Sequence, residues 1–170
     1  MKRKTEYLTK AALIAAAYVA LTWLSALPGL AYGSVQFRLS EALTILPVFC
    51  PAAIPGLTLG YLLSNITSTV NPVDMVVGTA ATLLACLGTR AARNVKLRGY
   101  PLLSFLCPVI ANGLFVGAEI AFFTEGDTFL HAFAFSAAGV AAGEAAVIFV
   151  LGTVLYFVIE KNEKLKKLFR

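Results

Sequence analysis

Thirteen of the fourteen basic residues fall in three clusters separated by long apolar stretches. The clusters are Lys2, Arg3, Lys4 and Lys10; Arg90, Arg93, Lys96 and Arg98; and Lys161, Lys164, Lys166, Lys167 and Arg170. Lys and Arg accumulate on the cytoplasmic side of a bilayer, so this spacing constrains both the fold and its orientation. The fourteenth, Arg38, stands alone in Val35-Gln36-Phe37-Arg38-Leu39-Ser40-Glu41-Ala42-Leu43-Thr44. There the topology rule is overridden, which points to chemistry.

With 59% hydrophobic and 14% charged residues, the chain has too few charges to cover a soluble surface. It reads as an all-α integral membrane protein, a single transmembrane domain over residues 1–170. The net charge of +5 flanks apolar spans, which is the membrane pattern and excludes nucleic acid as a partner. The apolar run from Ala11 to Leu30 exceeds a signal-peptide core and is read as a retained first helix. Cys50, Cys86 and Cys107 are far apart and read as buried small hydrophobes, with no metal or disulfide signature.

Spans are expected at Leu8–Leu27, Pro72–Thr89, Leu102–Phe123 and Phe129–Ile159. Between the first two lies Leu39–Thr69, broken by Pro47, Pro51 and Pro55. Basic clusters on both sides of this region belong to one face, so an even number of crossings separates them. The middle segment therefore crosses twice in short helices or re-enters, as backbone buried in protein permits. The expected architecture is a bundle of six transmembrane helices, the second and third short, with both termini cytoplasmic. The outer loops are then Gly29–Phe37, Thr69–Asn71 and Thr124–Thr128.

Ionisable side chains within such a bundle face its interior or a water-filled cavity. Arg38 and Glu41, three residues apart, suit either a structural brace or a ligand site. Tyr32, Gln36 and Phe37 just before them add the aromatic and amide groups that a planar polar heterocycle needs. Asp74 follows Asn71-Pro72, which reads as a helix start with an acid in its first turn, and Asn65 lies near the same end. Asn112 and Glu119 share a helical face, and Glu144 sits in mid-span, paired either to a partner such as Asn112 or to a substrate. His131, the single histidine, reads as an interfacial residue.

On the first helix, Ala12, Ala16 and Ala20 form one small-residue stripe and Ala11 with Ala15 another. Such stripes serve close helix packing, within the chain or against a membrane partner. No phosphate-binding Gly-x-x-x-x-Gly-Lys-Ser/Thr loop and no hydrolase arrangement occurs, so no catalytic residue and no metal site is expected.

The block Gln36-Phe37-Arg38-Leu39-Ser40-Glu41-Ala42-Leu43-Thr44 resembles the QueT family, as do Ile54-Pro55-Gly56 with Asn65, Asp74 to Leu83, and Gly143-Glu144. That family comprises substrate-binding S components of energy-coupling factor (ECF) transporters in bacterial plasma membranes. The resemblance implies the six-helix S-component fold and capture of a queuosine precursor, 7-aminomethyl-7-deazaguanine or queuine. It implies a transmembrane coupling protein, met by Ala12, Ala16 and Ala20, and two cytoplasmic ATPases that use the ATP, with no cofactor in this chain. Glu41, Asp74 and Glu119 are candidates for the N–H edge and the cationic aminomethyl group, with Arg38, Gln36 and Asn65 as polar partners. Alternatives are an S component for a pterin or flavin, a stand-alone carrier relaying protons through Glu119 and Glu144, or a structural subunit.

Overall fold

The computed structural model describes residues 2–27, 29, 36–66, 72–126 and 128–169. Among these the fold is helical, without strands. Helix α1 (Lys2–Ala26) stops just before Pro28. A 3-10 helix (Leu39–Val48) and α2 (Ala53–Asn65) follow, then α3 (Pro72–Ala91) and α4 (Leu102–Phe123). Helix α5 (Phe129–Val147) continues through a π turn (Ile148–Gly152) into α6 (Thr153–Lys161), and a short α7 (Glu163–Phe169) closes the chain. Proline occupies the first position of α3, where its missing N–H costs nothing.

Among the described residues, four stretches are long and apolar enough to cross a membrane: Arg3–Ala26, Pro72–Asn94, Leu102–Phe123 and Phe129–Lys161. They match the four long spans expected. The middle segment is a short hairpin, and its first arm differs in kind from the expected α-helix. Ten residues in 3-10 geometry at a rise of ~2.0 Å cover about 20 Å, the same as thirteen α-helical residues at ~1.5 Å. The two arms therefore match in length across the turn at 49–52, although each falls about 10 Å short of a ~30 Å hydrocarbon core.

A 3-10 run this long is uncommon and needs outside support. Its start is held by α1: the Leu39 N–H donates to Ser25 Oγ at 2.8 Å, and Thr22 Oγ1 donates to Ser40 Oγ at 2.8 Å. Its far end is held by α3, where Arg90 Nη1 donates to the carbonyls of Pro47 at 3.0 Å and Val48 at 3.3 Å. A cation on the last carbonyls of a helix is favourable for its dipole as well. The segment packs against α1, α2, α3, α4, α5, α6 and the π turn, so it runs through the middle of the bundle. Seven of its ten residues are buried, and buried irregular backbone is what a membrane protein tolerates.

Small residues set the other contacts. Gly56 and Gly60 of α2 lie against the backbone of Ala11 and Ala15, so that stripe of α1 packs within the chain. Ala12, Ala16 and Ala20 are exposed on the opposite side. The two stripes, indistinguishable in sequence, have different fates.

Candidate functional site

The 3-10 geometry decides what surrounds Arg38 and Glu41. Within this helix, at three residues per turn, positions i and i+3 eclipse, so Glu41 and Thr44 share one face, and Arg38 stands in extended backbone just before its start. All three are buried, at 2%, 1% and 2% exposure. Helices α1 to α5 each add polar side chains to this buried zone: Tyr18, Tyr61, Asn65, Asp74, Asn112, Glu119 and Glu144. Each of these is a costly group in an apolar bundle, so their convergence asks for an explanation.

The hydrogen bonds divide the cluster into two linked parts. In the first, the Tyr18 hydroxyl donates to Glu41 Oε1, and Asn112 Nδ2 donates to Glu144 Oε1 at 2.7 Å. The Glu41 and Glu144 carboxyls also lie within electrostatic reach of each other. In the second, the Arg38 guanidinium lies over the Tyr61 ring, 5.1 Å from its centroid, and the Tyr61 hydroxyl donates to Asp74 Oδ1 at 3.3 Å. Asn65 Nδ2 donates to the Tyr61 carbonyl at 3.1 Å. Tyr18 and Tyr61 join the parts, their ring centroids 6.3 Å apart.

Two glycines make room for this arrangement. A Cβ on Gly78 would lie 2.0 Å from the Tyr61 hydroxyl, so Tyr61 lies directly against the α3 backbone. A Cβ on Gly143 would lie 2.2 Å from the Gln36 carbonyl oxygen, so the chain entering the 3-10 helix presses on α5 one residue before Glu144.

Among the described residues, several polar atoms here have no partner. Glu41 Oε2, Asn65 Oδ1, Asp74 Oδ2, Asn112 Oδ1 and Glu119 Oε2 are buried without a hydrogen-bond partner among the described residues. One such atom costs roughly 1–3 kcal/mol, so this set makes the region a candidate site for a polar ligand. The unpartnered set is mostly oxygen acceptors. A ligand rich in N–H donors is the complement.

Of the residues expected from sequence, Arg38, Glu41, Asn65, Asp74, Asn112, Glu119 and Glu144 come together here. Glu144 takes Asn112 as its partner, one of the two alternatives. Gln36 is half-buried and contributes its backbone at Gly143, while Phe37 is 39% exposed and points away. Tyr32 lies outside the described residues, as does Asn71 at the expected start of α3. His131 is exposed near the start of α5. Sequence reasoning missed Tyr18 and Tyr61. A signal existed for the tyrosines, because a hydroxyl within an apolar span must find a polar partner.

A protein-family model described as QueT transporter matches residues 8–161. A protein of Lactococcus lactis subsp. cremoris (strain MG1363), named queuosine precursor transporter QueT, is 39% identical over 83 residues. That alignment covers 49% of this chain and 48% of the relative, so the matched stretch spans about half of each. No solved structure matches the chain significantly.

Proposed function

The chain belongs to the QueT transporter family, a family of membrane transport proteins, and from that premise we propose that it is the substrate-binding S component of an ECF-type importer. Its substrate is a queuosine precursor, 7-aminomethyl-7-deazaguanine or queuine. The name of the Lactococcus relative supports that substrate class. The observation that carries the reading is the buried polar cluster with its unpartnered oxygens. A 7-deazaguanine offers ring and exocyclic N–H donors to Asp74 and Glu41 and a carbonyl to Arg38. Tyr18 and Tyr61 hold Glu41 and Asp74 in place for those contacts.

In this reading the bundle crosses the membrane six times, the 3-10 helix and α2 providing the two short crossings. Both termini then lie in the cytoplasm with the basic clusters, and the polar cluster opens outward. Because the two short arms fall about 10 Å short of the bilayer core, they leave space for a small molecule above them. The exposed Ala12, Ala16 and Ala20 form the face for a transmembrane coupling protein, and two ATPase subunits supply the energy. The chain itself performs no chemistry.

Calorimetric titration of the purified chain in detergent with 7-aminomethyl-7-deazaguanine, queuine and guanine tests the reading. Tight binding of either deazaguanine, with guanine much weaker, is the expected result. Absence of heat from folded protein with both would refute the substrate class. Uptake by the chain alone, without ATPase partners, would refute the S-component assignment.

A further inference from the structure

The acids of the cluster are not equivalent. Glu41 accepts from Tyr18, Asp74 from Tyr61 and Glu144 from Asn112. Glu119 is 8% exposed, and its Oε2 has no hydrogen-bond partner among the described residues. It also borders an open groove of about 770 Å³ on the surface between α3, α4 and the start of α5. The remaining lining is apolar and largely aromatic, including Phe115, Phe122, Phe129 and Phe133. The Phe129 and Phe133 rings stack at 6.0 Å with 7° between planes. On its inner side Glu119 is within electrostatic reach of Asp74 and Arg38. It therefore stands where the aromatic groove meets the polar cluster.

Contact with lipid chains accounts for phenylalanines on this face but not for the acid. A carboxylate presented to hydrocarbon costs a few kcal/mol, whereas one presented to a cation is stabilised. Aromatic faces reinforce the same choice, since their quadrupoles attract an ammonium group. The volume is in the range of a small-molecule site.

We infer that Glu119 and the phenylalanines around it form a recognition site for a protonated amine carried on a planar ring. Glu119 is the residue that distinguishes a cationic substrate from its neutral analogue. The inference rests on the substrate class proposed above, in which the aminomethyl nitrogen is cationic near neutral pH and reaches Glu119 while the base lies toward Asp74 and Arg38.

The test compares 7-aminomethyl-7-deazaguanine with the neutral 7-cyano analogue on wild-type protein and on Glu119→Gln. The substitution is expected to weaken the amine ~10–100-fold, the range for a hydrogen bond to a charged group, and to change the nitrile by less than about threefold. Equal loss for both ligands, or no loss for the amine, would overturn the assignment. Phe133→Leu makes the same comparison if Glu119→Gln does not fold: the amine should lose ~2–5-fold more than the nitrile, and equal losses count against the site. If neither deazaguanine binds wild-type protein, the substrate reading fails separately. The site is then judged by thermal shift with benzylamine against benzyl alcohol. Stabilisation by the amine alone, lost in Glu119→Gln, upholds it, and an equal response to both overturns it.

Discussion

Gly78→Ala separates a packing account of the site from a generic one. In an ordinary helix interior, Gly to Ala is stabilising by roughly 0.8–1.0 kcal/mol, because glycine is the poorer helix former. Position 78 is the seventh residue of α3, well inside the helix. The structure reverses the sign. A Cβ there would lie 2.0 Å from the Tyr61 hydroxyl oxygen, 2.3 Å from Cζ and 2.5 Å from Cε1. The ring would have to retreat by more than an ångström, and it has nowhere to go. Tyr61 is 1% exposed, stacked under Arg38 and tilted against Tyr18. Overpacking of this kind costs typically ~1–3 kcal/mol. Displacing the hydroxyl leaves Asp74 without its donor, a further ~1–3 kcal/mol. Net of the helix propensity, destabilisation of about 1–5 kcal/mol is expected, with loss of ligand binding. Thermal melting in detergent and calorimetric titration read the two effects. The control is Tyr61→Leu, which removes the three clashing atoms. In that background Gly78→Ala should be neutral or stabilising. If Gly78→Ala alone melts at or above the wild-type temperature and binds ligand normally, the placement of Tyr61 on α3 is wrong.

Other substitutions probe separate parts of the molecule. Tyr18→Phe removes the donor to the buried Glu41 and should cost ~1–3 kcal/mol in melting experiments, whereas an unchanged melting temperature would deny that hydrogen bond. Glu41→Gln keeps the shape and is expected to abolish deazaguanine binding while leaving detergent stability largely intact; loss of folding instead would identify Glu41 as a brace. On α1, Ala15→Leu should destabilise the chain by ~1–3 kcal/mol because Ala15 meets Gly60. Ala16→Leu should leave melting and ligand binding unchanged, since its side chain is exposed, and should block ATP-dependent uptake in the assembled transporter. Normal uptake by that variant would move the coupling face elsewhere.

Much of the site was legible because membranes make polarity conspicuous. Seven of the ten residues expected to bind substrate meet in one buried zone, and each was visible as an ionisable or amide group in an apolar span. The four long spans followed from run length against bilayer thickness, and the helix start at Pro72 from proline's missing N–H. These are one-dimensional properties, carried by each residue wherever it ends up.

Other features depended on which surfaces meet. No local signal marks ten residues from Leu39 as 3-10 rather than α: their geometry depends on Ser25 and Thr22 at one end and Arg90 at the other, partners 14 to 43 positions away. Alanine has no side chain to announce a direction, so only the position of Gly56 and Gly60 decides that Ala11 and Ala15 face inward and Ala12, Ala16 and Ala20 outward. The same holds for Tyr18 and Tyr61, which resemble any other aromatic in an apolar helix until Glu41 and Asp74 arrive beside them. Composition and charge spacing thus determined that this chain enters a membrane and which residues are too costly to be idle there. Tertiary packing decided which of those residues satisfy one another and which oxygens have no partner among the described residues, because hydrogen bonds and close contacts belong to pairs, and the pairs form only when the helices meet.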